Sequence, residues 1–319
     1  LLLYDEIKKS YHLTIGTKEE VKAYKNGIFS QYLLIDYYNF NIDKFKKLGT
    51  KDECVYMNNI IKKCNKIIEE NNQAYSTYKT NNKCLNCVRD SYKPNGNDKY
   101  DCLIKLAHYT IYYGISYVSE IYYFLKKSQI LEKIINNKKD IKVLSLGCGF
   151  MPDLIAMDKY KNDMWIKDIE IDYQGYDIEA LWEEIALCPQ CLLIKDVVND
   201  NFDCTDVDII FVNKLFSTLK RNELHMYFLC NFKNQLEDLP IGSFIVYNDV
   251  NNENEGRDIF NKCISNKSYK LIQKFYTQGY TQEYTKLDME FICDFQTDLY
   301  TKIKDYPNKT VFFLYQKVK

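Results

Sequence analysis

The residues best placed for chemistry lie in Val143-Leu144-Ser145-Leu146-Gly147-Cys148-Gly149-Phe150-Met151-Pro152-Asp153-Leu154-Ile155. An apolar run ends in a Gly-Cys-Gly turn and passes into a segment of helical character. Glycines at 147 and 149 remove Cβ atoms where a ligand must approach the backbone, and the helix that follows presents N–H groups with no intrahelical partner. Alone, such a turn is equally compatible with tight strand–helix packing. A second position adds to it. The run 172–176 ends at Asp177, followed by Ile178, and a carboxylate at the end of a second strand can accept hydrogen bonds from both hydroxyls of a ribose. A further run, 208–212, delivers Asn213, whose amide can serve a reacting group or cap the next helix.

The cysteines offer a different chemistry. Cys84-x-x-Cys87 in a polar loop (81–102), followed by Cys102 and His108, has ligand types and spacing compatible with tetrahedral zinc. Cys54 and Cys64 are alternative fourth ligands, and ordinary thiols are the plain alternative. Twelve scattered cysteines with no secretion signal favour reduced thiols over a disulfide framework. Cys191 of Cys188-x-x-Cys191 begins an apolar strand and reads as core; Cys148 reads as packing inside the glycine turn. A Ser/Cys–His hydrolase is unsupported, because His12, His108 and His225 lack a nucleophile-elbow context.

These residues must be positioned by two stretches of different texture. Segments 18–47 and 53–72 carry apolar residues at three- and four-residue spacings, as in Val55, Met57, Ile60, Ile61, Cys64, Ile67 and Ile68, which predicts helices. Residues 103–136 read as one long helix or two, with Gly114 as a possible interruption. After 140, short apolar runs at 141–146, 169–176, 191–195, 207–212, 243–247, 271–275 and 310–315 alternate with helical stretches such as 178–187 and 221–235. Such alternation predicts a doubly wound, mostly parallel sheet of seven strands covered on both faces. The expected organisation is a helical region, 1–140, for substrate recognition or a lid, and a Rossmann-like domain, 141–319.

Charge divides along the same line. Residues 1–140 carry 23 Lys/Arg against 16 Asp/Glu, and the rest 20 against 28. The basic first part points to an anionic partner. With 46% hydrophobic and 27% charged residues the chain can bury a full core. The abundance of Lys, Asn, Ile and Tyr looks like the coding bias of an AT-rich genome, which lowers the weight of any single one. The first residues lack the basic region of a signal peptide. The most apolar stretch, 106–125, holds His108, Glu120 and six tyrosines and reads as a buried aromatic helix rather than a membrane span. A soluble, cytoplasmic protein is expected, with no membrane partner and an oligomeric state the sequence leaves open.

The segment from Val143 resembles motif I of the class I S-adenosylmethionine (SAM)-dependent methyltransferases, an apolar strand ending in Asp/Glu-x-Gly-x-Gly-x-Gly. Gly147 and Gly149 match. Met151 replaces the third glycine and Ser145 the acid, whose contact to the methionine amino group passes to Asp153. The dinucleotide fingerprint Gly-x-Gly-x-x-Gly/Ala fails at Pro152. Later elements follow in the family's order: Asp177 with Ile178 at the ribose, Asp196-Val197 beside the adenine, Asn213 near the transferred methyl. The family's habit of laying the preceding helix over the cofactor implies a lid containing Tyr117 and Glu120, against the plain reading of an aromatic core helix. Neither Asn/Asp-Pro-Pro-Tyr/Phe after the fourth strand nor a Pro-Cys nucleophile is present.

The resemblance implies a class I methyltransferase-like fold, SAM as methyl donor, and in-line transfer governed by positioning and, where needed, a general base. The acceptor stays open. Charge asymmetry slightly favours nucleic acid, contacted through Lys62, Lys63 and Lys66. A small metabolite in a pocket closed by the N-terminal helices is the alternative, and a SAM-binding regulatory subunit without turnover is a third reading.

Overall fold

Alternating apolar runs and amphipathic segments build a mixed sheet of eight strands. The computed structural model describes residues 55–74, 86–88, 100–135, 138–164, 169–279, 283–292, 303–304 and 306–319. The strands are β1 (Asp140–Leu146), β2 (Glu170–Asp177), β3 (Leu192–Ile194), β4 (Ile209–Asn213), β5 (Phe244–Val250), β6 (Tyr269–Tyr276), β7 (Thr285–Lys286) and β8 (Thr310–Lys317). Their order is β3-β2-β1-β4-β5-β8-β6-β7. Strands β3 to β5 of that order are mutually parallel, while β8 runs antiparallel to both β5 and β6. All seven expected strands are present. The eighth, β7, has two residues, too few to leave a periodic signal.

The helices of the described residues are α1 (Val55–Ala74), α2 (Leu103–Ser128), α3 (Ile130–Ile135), α4 (Pro152–Asp163), α5 (Phe216–Arg221), α6 (His225–Gln235) and α7 (Arg257–Ile264). The break between α2 and α3 falls at Gln129, in the left-handed region (φ 53°), and not at Gly114. Gly114 is buried within α2, where an added Cβ would collide with Cε of Met57 on α1. It marks a close approach of α2 to the flexible end of the Met57 side chain and not a break in the helix. The helix expected over 178–187 is a short 3₁₀ turn, Ala180–Glu184, capped by the Glu179 side chain on Leu181 N–H (3.1 Å). The stretch 221–235 is split into α5 and α6 around Glu223 (φ 60°).

Side-chain alternation along the strands sorts the core into two layers. Leu144, Leu146, Ile210, Val212, Ile245, Tyr247, Phe313 and Tyr315 pack with Phe216, Phe228, Phe232 and Phe260 from α5, α6 and α7. Each such aromatic or aliphatic side chain contributes about 1.5–3 kcal/mol by leaving water. The opposite face lies under α2 and α4; Phe124 of α2 stacks on Phe312 of β8 with ring centroids 4.7 Å apart. Residues Tyr56–Lys319 form one compact unit, so α1 and α2 pack with the sheet, and position 140 marks a change of texture within that unit. None of the described helices is long and apolar enough to cross a membrane.

Cys188 and Cys191 are disulfide-bonded across the turn Pro189–Cys191. Cys191 is half-buried, which corrects the expectation of a core thiol: the 3₁₀ turn holds the two residues together at the edge of β3.

Candidate active site

The carboxyl ends of β3, β2, β1, β4 and β5 open into a cleft of about 450 Å³. Its floor begins at the glycine turn. Gly147 (φ 67°) and Gly149 (φ 50°) are left-handed; a Cβ on Gly147 would sit 3.0 Å from Cδ1 of Leu215, and one on Gly149 3.4 Å from Trp182. Met151, at the third glycine position of the resemblance, also adopts a left-handed conformation (φ 67°). The turn geometry therefore survives without the third glycine, at a backbone cost of about 1–2 kcal/mol. Helix α4 then starts at Pro152 with no side-chain cap, leaving its first N–H groups directed away from the helix body.

Most of the residues singled out in the sequence meet in this cleft: Tyr117, Gly147, Gly149, Asp177, Ile178, Asp196, Val197 and Asn213 all line it. Asp177, half-buried at the end of β2, accepts hydrogen bonds from Gly149 N–H and Glu179 N–H, both at 3.0 Å. Burial pushes its carboxyl up to about 6, against the opposing pull of those N–H donors. Ile178, beside it, is 69% exposed, an apolar side chain at the cleft that a bound ligand would cover. Asp196 accepts from Val198 N–H (2.9 Å) and from Nδ2 of Asn199 (2.7 Å), so it also shapes the turn after β3. Part of the lining is aromatic: Tyr109, Tyr117, Phe150 and Trp182, with the Tyr109 hydroxyl donating to that of Tyr117 (3.3 Å).

Two expected residues lie elsewhere. Asp153 does not line the cleft. It is fully buried beneath α4, accepts from the Tyr173 hydroxyl (2.9 Å), and is raised by burial above the ordinary carboxylate range. The first turn of α4 directs it toward the sheet. Glu120 is likewise fully buried and outside the cleft lining. It accepts from Lys214 Nζ (3.0 Å), Thr310 Oγ1 (3.1 Å), Asn308 N–H (3.1 Å) and Asn308 Nδ2 (2.7 Å). Tyr117 and Glu120 are offset around α2 enough that one faces the cleft and the other staples α2 to the β4–α5 connection and the start of β8.

For the zinc expectation, Cys84 lies outside the described residues. Cys87 and Cys102 are exposed, whereas His108 is buried in α2, where desolvation lowers its pKa to about 4. Among the described residues no group of three or more His, Cys, Asp or Glu side chains is arranged to hold a metal ion.

Sequence reasoning missed Asn248. It ends the apolar run of β5, pairs in register with Asn213 of β4 and lines the same cleft. A signal was present in Asn248-Asp249, a polar pair interrupting a hydrophobic strand. Lys214 was also passed over. It is left-handed (φ 53°), and its ammonium lies 5.1 Å from the Tyr117 ring centroid.

No protein-family model and no curated protein sequence matches the chain. Among solved structures it is similar to the N-methyltransferase NodS from Bradyrhizobium japonicum WM9 in complex with S-adenosyl-L-homocysteine (SAH), with 9% identity over 74% of this chain and 98% of that one (TM-score 0.38). It is similar to the plantazolicin methyltransferase BpumL in complex with a monoazolic desmethylPZN analog and SAH, with 12% identity, 79% and 100% coverage and a TM-score of 0.41. An rRNA methylase from Streptococcus thermophilus shows 7% identity, 60% and 95% coverage and a TM-score of 0.37. The sheet order, the antiparallel β8 and the glycine turn after β1 give the chain the class I methyltransferase-like fold expected from its sequence.

Proposed function

We propose that this chain is a SAM-dependent methyltransferase. The observation that carries the reading is the convergence, on one sheet edge, of Gly147, Gly149, Asp177, Asp196, Val197 and Asn213. They come from four separate strands and were singled out in sequence by a single family pattern. The residues fit the donor. Glycine at 147 and 149 leaves room for the methionine portion, Asp177 accepts from the ribose hydroxyls, Ile178 and Val197 flank the adenine, and Asp196 accepts from its amino group. When bound, SAM supplies an activated methyl group on a sulfonium. The chain's own part is to orient the acceptor in line with that methyl and to exclude water, which the aromatic lining serves.

For the acceptor, nucleic acid has the exposed Lys62, Lys63 and Lys66 on α1 in its favour, together with the basic first 140 residues. The aromatic lining of Tyr109, Tyr117 and Trp182 favours a small molecule or one extruded base. We infer a division of labour in which the sheet holds the donor and the helical first part selects the acceptor. Calorimetric titration with SAM, NADH and FAD tests the central reading. Saturable one-to-one binding of SAM supports it, and tight binding of a nicotinamide or flavin cofactor with none of SAM overturns it.

A further inference from the structure

We propose that Asn248, together with Asn213, grips the methyl acceptor, and that the acceptor's reacting atom is an uncharged nitrogen. The inference rests on the methyltransferase reading and adds the class of nucleophile.

The two asparagines are register partners on adjacent parallel strands, so their side chains leave the sheet on the same face. Asn248 is fully buried and Asn213 is 6% exposed. Their backbone groups are served, since the Lys214 N–H donates to the Asn248 carbonyl at 2.7 Å. Their side chains are not: among the described residues, Oδ1 and Nδ2 of both find no hydrogen-bond partner. Native structures hold few such atoms, because an unpaired buried amide opposes folding. Here four occur side by side, and both residues line the cleft. Along the carboxyl edge the order is β3, β2, β1, β4, β5. The donor's adenine, ribose and methionine portions are assigned to the first three, which leaves the amide pair beyond the methyl group, where an acceptor must enter.

The charged groups around the pair narrow what that acceptor is. Lys214 is already held by Glu120 (3.0 Å) and by Thr310 Oγ1 (2.9 Å). Asp249 alternates to the other face, where it accepts from Ser217 N–H (2.8 Å). The carboxylates that line the cleft, Asp101, Asp177, Glu179 and Asp196, lie ahead of α2, at the end of β2 or after β3. No ionisable side chain is contributed at positions 213 and 248 themselves. The other lysine of the lining, Lys195, lies after β3 and donates to the Asn201 carbonyl (3.1 Å), so among the described residues a carboxylate acceptor would find no uncommitted cation beside the amides. Among the described residues, an alcohol would find no carboxylate or imidazole beside them to take its proton. A neutral amine or ring nitrogen needs neither, because it attacks with a lone pair it already has. The amide oxygens accept from its N–H bonds or from neighbouring N–H groups, and the amide NH₂ groups donate to adjacent acceptor atoms, which turns the lone pair toward the methyl.

In the step itself, the nitrogen lone pair forms a bond to the methyl carbon while the carbon–sulfur bond breaks. The bonding pair stays on sulfur, which loses its positive charge. The charge passes to the methylated nitrogen, which releases a proton to water if it carries one.

The test uses three matched probes, phenethylamine, 2-phenylethanol and phenylacetate, and a short oligoadenylate to distinguish a free amine from the amino group of a base. Transfer of tritiated methyl from SAM is measured alongside probe binding by NMR in the SAH-saturated protein. The expected result is binding and label in one or both nitrogen probes, and in neither oxygen probe. Asn248→Leu should weaken nitrogen-probe binding about tenfold through loss of its hydrogen bonds, with SAH affinity unchanged. Asn248→Asp should tighten the protonated amine yet slow transfer, lowering KM and kcat together and moving the pH–rate profile upward. A purely structural asparagine would not produce that split. Label in the alcohol or carboxylate, no nitrogen probe bound in the SAH complex, or unaltered amine binding in both variants would overturn the proposal. Absence of SAH binding in the wild-type protein would instead remove the donor assignment on which it stands.

Discussion

Replacing Asp177 by asparagine exchanges one oxygen for an amino group at the centre of the proposed ribose site. In the free protein both carboxylate oxygens accept backbone N–H groups, from Gly149 and Glu179 at 3.0 Å. Asparagine can satisfy one of these and turns an NH₂ toward the other, which costs about 1–3 kcal/mol. It also removes a carboxylate whose ionised form burial disfavours. The two changes oppose each other, so the melting temperature should move by only a few degrees. Binding should respond far more. Hydrogen bonds to a charged group contribute about 1.5–3 kcal/mol each; losing one ribose bond and the charge behind the other removes about 3 kcal/mol, or roughly a hundredfold in Kd. The same group sets a pH dependence. Its folded-state pKa is raised to about 6, and the ribose hydroxyls require the ionised form. SAM affinity should therefore be complete above pH 7 and fall about tenfold by pH 5. The stability contribution has the opposite sign, greatest below the ordinary carboxylate value and lost as pH rises through 6. Calorimetry on both proteins at pH 5, 6, 7 and 8 checks this. An Asp177→Asn variant that binds SAM within threefold of wild type, or follows the same pH curve, would refute the assignment.

Further outcomes follow from other contacts. Glu120→Ala strands the Lys214 ammonium in a buried network and should destabilise the protein by about 3–5 kcal/mol in urea denaturation; a loss below 1 kcal/mol would show the staple to be unimportant. His108, lowered to about 4 by burial, should make stability fall as pH drops from 6.5 toward 4, and His108→Asn should flatten that part of the wild-type curve. Charge reversal at Lys62, Lys63 and Lys66 should weaken binding of an RNA or DNA acceptor, reducing the salt slope by roughly 0.7–0.9 per lost phosphate contact while sparing SAM. Unchanged slopes with nucleic acid would favour a small acceptor. If Cys84 and Cys87 hold zinc, mass spectrometry should find about one metal per chain, lost in Cys84→Ser.

Much of the fold was legible because it is written in local patterns. Apolar runs bounded by acids or glycines mark buried parallel strands, and the Gly147-Cys148-Gly149 turn marks where the sheet edge opens into the cleft. The position of Asp177, Asp196 and Asn213 on the cleft was legible for the same reason, since each directly terminates or follows such a run. What local patterns do not carry is facing. Asp153 and Glu120 sit at plausible spacings, yet the rotation of α4 and α2 turns them into the interior, toward Tyr173 and Lys214. Nothing in sequence distance joins Glu120 to Asn308 or Thr310. Asn248 is the reverse case: it ends its strand as Asn213 ends β4, but its meaning comes from the β4–β5 register. The α2–α3 break at Gln129 was hidden because glutamine is not a residue that signals a left-handed turn, whereas Gly114, which does, continues the helix and lies against the end of the Met57 side chain.

The central claim is that one sheet edge binds SAM through the residues from Gly147 to Asp196, and a crystal structure of the protein soaked with SAH tests it most directly. The account requires the ribose hydroxyls within hydrogen-bond distance of the Asp177 carboxylate, the adenine against Ile178 and Val197, and the homocysteine portion over Gly147 and Gly149. SAH bound away from this edge, or a cleft that stays empty at saturating SAH, would contradict it.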